Sequence, residues 1–279
     1  MQNSYMPRVW LIVCVILLVF LVAAILRREQ MLLATGLRQP TTIADIAYDV
    51  RNRGADYRIF LKENGHFVPY LVLTANYSGS GDVLLLREYL LDQKVAFNYS
   101  PYGRNLWSGL DFGGYYPNSN IDNFLNIEFA NTLCEAVIAA IVPSNIMVTD
   151  KSSMGVTGRT STTITRYVFL LSLRELGVPD LSTTVPEGER LRFFRGVFHT
   201  DRVAHFSNSE AMHYWTRTPD NWTTYSAFII GTNAVGSGMA DSHIGVRPAF
   251  ALCRYTAITT STDIISGKTV FVLDTGNCH

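Results

Sequence analysis

The sequence predicts an α+β domain with a mainly antiparallel sheet and one main helix, preceded by an apolar N-terminal helix. Three observations carry this. Many short stretches alternate apolar and polar residues between turn signals, a single long stretch (119–141) has helical periodicity, and the chain from Val9 to Leu26 holds no charge. Of the 279 residues, 48% are hydrophobic and 16% charged, which is enough apolar side chain for a proper core. Lys+Arg and Asp+Glu balance at 23 each. No basic stripe interleaves with aromatics, so nucleic acid is not an expected partner.

The N-terminal run "VWLIVCVILLVFLVAAIL" (9–26) lies between Arg8 and the pair Arg27, Arg28. As a helix rising about 1.5 Å per residue it is just long enough to cross a hydrocarbon core, so residues 1–28 read as a membrane anchor. A cleaved signal peptide fits less well, because the run exceeds the usual ~7–15 residues and charge follows it rather than a small-x-small site. Val13 before Cys14 speaks against a lipoprotein. An apolar helix buried in a homo-oligomer is the remaining alternative. Arg27, Arg28 and Arg38 outnumber Arg8, which counts against export; the content of the C-terminal domain is that of a surface module, and an extracytoplasmic domain is expected.

Residues 29–56 read as a stalk or linker. Within them "TTIADIAYDVRNRG" places Ile43, Ile46, Ala47 and Val50 at helical spacing behind a Thr42–Asp45 capping arrangement. One domain is expected over 57–279. Residues 57–92 form a three-stranded meander, with Asn64-Gly65 as a two-residue hairpin turn and Gly79 to Gly81 in the second turn. In 119–141 Ser119 caps a helix whose stripe recurs every four positions: Ile121, Leu125, Phe129, Leu133, Val137 and Ile141. Pro143 stops it. A polar loop (149–165) leads to "YVFLLSLREL" (167–176), a buried strand running into a turn, and 177–213 is irregular. The closing strands are "SAFIIG" (226–231), "GVRPAFAL" (245–252) and "KTVFVLD" (268–274). Cys14 lies in the apolar run; of Cys134, Cys253 and Cys278, at most one pair can form. Cys253 with Cys278 is the pair that fits, and three inert thiols are the equal alternative.

Catalytic signatures fail one by one. "GKT" (267–269) lacks the upstream glycine of a phosphate loop and sits between strands. "NSNID" (118–122) begins like a calcium loop, but Phe129 stands where its twelfth-position Glu belongs. His199, His205, His213 and His243 lack zinc-site spacing. No Gly-x-Ser-x-Gly elbow occurs. No nucleophile, metal or cofactor is expected, and the chain is not expected to be an enzyme.

The aromatic and arginine content after residue 190 remains. In an extended "YWTRTP" (214–219), Trp215, Arg217 and Pro219 share one face, an arrangement that suits a scaffold. In the next loop, "DNWTTY", Asp220 and Asn221 stand beside Trp222 and Tyr225, a mixture that suits sugar faces and peptide side chains. The loop 232–243, with Gly236 and Gly238, brings Asn233, Asp241 and His243 near the first if its flanking strands pair.

The motifs "NSNIDNFLNIEF" (118–129), "FLLSLRELG" (169–177), "EGERLRFF" (187–194), "YWTRTP" and "GVRPAFAL", in this order, resemble a bacterial and phage family of domains of unknown function, DUF6273. Such domains look like distant relatives of the C-type-lectin-like fold that also underlies formylglycine-generating enzymes. The resemblance implies that Arg217 and Arg247 are structural, holding loops through charge-assisted bonds. It carries no catalytic assignment: the cysteine pair of the enzyme branch and the sugar-binding tripeptides of calcium-dependent lectins are absent. The expectation is a surface-displayed, non-catalytic recognition module for a glycan or protein ligand. The alternative is a structural virion or phage tail protein whose apolar N-terminus is an oligomerisation helix.

Overall fold

A computed structural model describes residues 6–34, 40–47, 58–77, 79–101, 111–155, 160–182, 184–195, 198–220, 223–262 and 269–273. It divides into two compact units, Met1–Thr41 and Thr42–His279. In the first, helix α1 runs Met6–Ala34 and contains the uncharged run. Its described side chains, those of residues 14–28, are exposed, including Val15, Leu18, Phe20 and Leu26. Among the described residues no helix is long and apolar enough to cross a membrane.

The second unit begins upstream of residue 57, the expected domain start. Residues 43–47 form a short helix, α2, whose Ile43, Ile46 and Ala47 are buried in the core rather than extended as a stalk. The reason is local pairing: Thr42 bridges Ala257, and the Ile43 amide donates to the Thr256 carbonyl at 2.9 Å. Thr42 and Asp45 make the expected cap, with Asp45 Oδ2 accepting from the Thr42 amide and hydroxyl. The rest of that expected helix, from residue 48, lies outside the described residues.

The main sheet builds from the meander. Strand β1 (Arg58–Glu63) turns at Asn64 and Gly65, both at positive φ as a two-residue hairpin requires, into β2 (His66–Tyr77), and β2 pairs with β3 (Asp82–Arg87). The short β5 (Ile141–Val142) and β8 (Val168–Phe169) both pair with β15 (Ala249–Leu252), which lies against β3. Strand β16 (Ile258–Thr262) pairs with β17 (Thr269–Leu273), and β17 joins β1 in parallel. The order is β16-β17-β1-β2-β3-β15-β5, and every pairing but β1–β17 is antiparallel. Leu84 to Leu86 and Ala249 to Leu252 are buried on both faces, which marks β3 and β15 as the centre of the core.

A second layer holds β11 (Tyr214–Pro219), β12 (Ser226–Ile230) and β13 (Val235–Met239) as an antiparallel sheet, and β6 (Ser144–Thr149) with β7 (Ser161–Arg166) as a hairpin. Strand β4 (Val95–Ala96) pairs with β14 (His243–Ile244), and β9 (Ala204–His205) with β10 (Ala211–Met212).

The expected helix over 119–141 is broken. A stripe repeating every four residues drifts by about 40° per step on a helix of 100° per residue, so its two ends cannot face one core. The chain instead makes α3 (Asn120–Phe124), a π turn (Leu125–Phe129), one 3₁₀ turn (Ala130–Thr132), extended residues at Leu133 and Cys134, and α4 (Glu135–Ala140). Wider π bonding takes up part of the drift, and extended Leu133, bridged to Glu63, takes up the rest. Ile121, Leu125, Phe129, Leu133 and Val137 are all buried as a result. Cys253 is a free thiol among the described residues, and Cys278, its expected partner, lies outside them.

Asn126, in the π turn, clamps this helical stretch to the sheet. Its Nδ2 donates to the Val168 carbonyl at 2.9 Å and its Oδ1 accepts from the Val168 amide at 3.1 Å, so the side-chain amide stands in for a neighbouring strand. Asn126→Ala strands both backbone groups and is expected to lower the unfolding free energy in urea by about 2–3 kcal/mol. A loss below about 0.5 kcal/mol would mean that water replaces the clamp at no cost.

Candidate functional site

Strand β11 is the floor of the site, and all six of its residues are buried. Trp215 turns its ring edge to Phe97, with centroids 5.3 Å apart, and its Nε1 donates to the Val95 carbonyl at 2.9 Å. Arg217, on the same face, is 0% exposed. Its guanidinium forms a two-pronged pair with Glu175, with Nη1 to Oε2 at 2.6 Å and Nη2 to Oε1 at 2.8 Å. Nη1 also donates to the Leu170 carbonyl (2.8 Å) and Nε to that of Met147 (2.9 Å).

Glu175 also accepts from the Tyr77 hydroxyl and from the Ser172 amide. Burial lowers the affinity of Arg217 for its proton, but the Glu175 carboxylate outweighs this and holds the guanidinium above its ordinary value. The Tyr77 phenol is pushed well above its usual value by burial, with Glu175 adding to it. A second buried acid adjoins the pair. Glu187 Oε1 accepts from the Thr149 amide (2.6 Å) and hydroxyl (2.9 Å), and Oε2 accepts from the Thr218 hydroxyl (2.7 Å). Burial pushes this acid up to about 7, against the opposing pull of Arg217, Thr218 and Thr149.

Arg247 is buried just before β15. It donates to the carbonyls of Arg87 (2.9 Å) and Glu88 (3.2 Å) and lies over the Tyr214 ring at 5.6 Å. Glu63, on the inward face of β1, is met by Arg87 and by the Tyr70 hydroxyl. Asp122, at the start of the "NSNID" helix, is held by Arg166 and accepts from the Asn118 amide. Among the described residues the buried Arg247 Nη1 has no hydrogen-bond partner, whereas Glu63 and Asp122 are each met by an arginine from another segment.

The expected binding residues are divided by this framework. Asp220, which is buried, follows β11, and its amide donates to the Ser226 carbonyl at 2.9 Å. Half-buried Tyr225 precedes β12, and its carbonyl accepts from Ala240 at 3.0 Å, which brings buried Asp241 to the same end of the sheet. Asn221 and Trp222 lie outside the described residues. The loop 232–243 is not a loop throughout: β13 pairs with β12 along its whole length, from Ser226↔Met239 to Ile230↔Val235. That pairing carries exposed Asn233 to the opposite end of the sheet, roughly 15 Å away at about 3.3 Å per strand residue. Asn233 therefore leaves the site. Exposed His243 continues into β14, opposite Ala96, with its ring 6.5 Å from Tyr99.

Residues that the sequence reading passed over complete the end that Asp220, Tyr225 and Asp241 share. The Gly114 amide donates to the Thr224 carbonyl at 3.0 Å, which sets half-buried Phe112 and Tyr115 beside the 223–225 turn. Lys151 extends from the turn after β6, its Nζ 5.0 Å from the Phe112 ring centre and 5.9 Å from that of Tyr115. Among the described residues, the buried Thr223 and Thr224 hydroxyls have no hydrogen-bond partner. Three aromatic residues and an ammonium therefore gather at one end of the sheet, above two buried carboxylates and two buried, unmatched hydroxyls. Such a surface can stack on a flat apolar face and hydrogen-bond polar groups around it. Among the described residues no cluster of His, Cys, Asp and Glu could hold a metal ion.

A family model described as a domain of unknown function (DUF6273) matches residues 80–253. No curated protein matches the chain, and no solved structure does. The matched stretch contains Glu175, Glu187, Arg217 and Arg247 together with every residue named at the candidate surface.

A methyl group at Gly114 would stand 2.1 Å from the Ser226 carbonyl oxygen, so the backbone there can approach β12 only as glycine. Gly114→Ala is expected to lower stability by about 1–3 kcal/mol in thermal denaturation. It should also raise proteolysis at 111–115. Wild-type melting and cleavage would show that this segment is not docked on β12.

Proposed function

We propose that this chain, which belongs to the DUF6273 family of domains of unknown function, is a surface-displayed recognition module that binds a glycan or protein ligand without catalysis and is held to a membrane by its N-terminal helix. The observation that carries the reading is the division of labour within the second unit. The Arg217–Glu175 pair and Glu187 lock the strands. Turns at one end of those strands present Phe112, Tyr115, Lys151 and Tyr225. A fixed framework with function in its loops suits binding. The α+β architecture, with long connections between short strands, is compatible with the C-type-lectin-like fold that the motifs imply.

For the first unit, the reading rests on the sequence. The run from Val9 to Leu26 is uncharged, and its described side chains are exposed in α1. Exposed apolar helix surface calls for a covering, and lipid is the covering proposed, with the second unit outside the cytoplasm. A structural virion role, with α1 as an oligomerisation helix, uses the same surface differently. Membranes washed with carbonate separate the two. The full chain is expected to stay in the pellet, whereas a defined oligomer in the wash without detergent would replace the anchor with the oligomer helix.

A glycan and peptide array probed with the full chain in detergent tests recognition. Tyr225→Ala and Lys151→Ala are each expected to weaken the captured interaction by about 1–3 kcal/mol while the melting temperature is kept. Normal binding by both variants would move the site elsewhere.

A further inference from the structure

The two arms of the candidate site grow from strands that one carboxyl group joins. Thr149 closes β6 and leads into Asp150 and Lys151; Thr218 lies near the end of β11 and leads through Pro219 into Asp220. The Glu187 side chain sits between them, with Oε1 on Thr149 and Oε2 on Thr218. Its own carbonyl accepts from the Ser172 hydroxyl at 2.6 Å, so the backbone that carries it is fixed as well. We propose that the Glu187 carboxyl is a proton-operated latch on the candidate site, holding the Lys151 arm to the Asp220 arm while it keeps its proton and easing them when the proton leaves. The proposal rests on the recognition site described above and concerns its regulation.

The geometry suits a carboxyl group that can be neutral. Oε1 accepts from Thr149 in either state, and the Thr218 hydroxyl, which donates to Oε2 at 2.7 Å, can turn to accept from it once the acid is protonated. Ionisation adds a charge to a dry place. Arg217 faces Glu187 from β11, but its guanidinium is already engaged on two prongs by Glu175 from the 173–177 turn. An ionised Glu187 therefore leaves this buried trio with a net negative charge. Asp150, beside Thr149, accepts from the Ser152 hydroxyl and amide, which hold it below its ordinary value. It adds a negative charge to the same end.

Burial pushes Glu187 from 4.5 up to about 7. Any opening that wets Glu187 returns it to the lower value, so the closed arrangement binds the proton more tightly than the open one. The closed state's advantage is full below about 4.5, declines as pH rises, and is lost by about 7. Lys151 and Asp220 would be held most firmly in mild acid and released toward neutrality.

Hydrogen exchange on the full chain in detergent tests this without any ligand. Protection at 149–155 and at 218, 220 and 223–225, each corrected for the intrinsic rate at that pH, is expected to fall together on the order of a hundredfold between pH 4.5 and 7 and then to level. Glu187→Gln presents an acceptor to Thr149 and a donor to Thr218, as the protonated acid does. It is expected to keep the acid-side protection throughout. Wild-type protection that is flat or rises with pH overturns the latch whether or not the variant folds, and a folded Glu187→Gln that keeps the wild-type slope assigns the proton to another group. An array without binding, beside exchange that behaves as expected, overturns the recognition reading alone; array binding with flat exchange overturns the latch alone.

Discussion

The second unit depends on one buried ion pair. Arg217 and Glu175 are 0% and 1% exposed, and removing two such charges from water is costly unless each is met by good geometry. Here the geometry is complete. The guanidinium grips both carboxylate oxygens and two backbone carbonyls, while the carboxylate takes a hydroxyl and an amide besides. These contacts draw together β2 through Tyr77, β6 through Met147, the 170–175 segment and β11. Apolar packing alone would let such elements slide. Directional bonds fix their register, and the candidate surface inherits its shape from them.

The same logic explains the other buried charges. Glu63 with Arg87, and Asp122 with Arg166, each tie a strand or helix start to a neighbour, and Arg202 donates to the Leu176 carbonyl at 2.6 Å at the end of the 173–177 turn. Short strands and long connections make too few ladder bonds to hold a sheet of this kind by themselves. Buried arginines supply the missing ones across gaps that strands do not bridge. Glu187 differs: burial pushes it up to about 7 against the pull of Arg217, whose guanidinium is already gripped by Glu175.

Much of this was legible in the sequence. The Asn64-Gly65 hairpin followed from turn chemistry, the strands at 214–219 and 226–230 from local pattern, and the structural role of Arg217 and Arg247 from the family resemblance. The partner of Arg217 was not marked: Glu175 stands beside Arg174 in "FLLSLREL", and nothing local pairs it with the base of "YWTRTP". The break in the 119–141 helix was encoded too, since a four-residue period does not match a 3.6-residue turn. What the sequence could not place was Asn233, because the extent of the β12–β13 pairing decides which end of the sheet it occupies. Phe112, Tyr115 and Lys151 come from distant segments, and local patterns hold no sign of their meeting.

A double-mutant cycle on Arg217 and Glu175 is the most direct test of this dependence. Arg217→Met, Glu175→Gln and the double variant would be compared with wild type by urea unfolding at one pH. Each single change is expected to cost about 3–5 kcal/mol by leaving its partner charge buried, and the double change clearly less than the sum, with a coupling of about 2 kcal/mol or more. A coupling below about 0.5 kcal/mol, with the singles simply adding, would contradict the claim that this pair organises the domain.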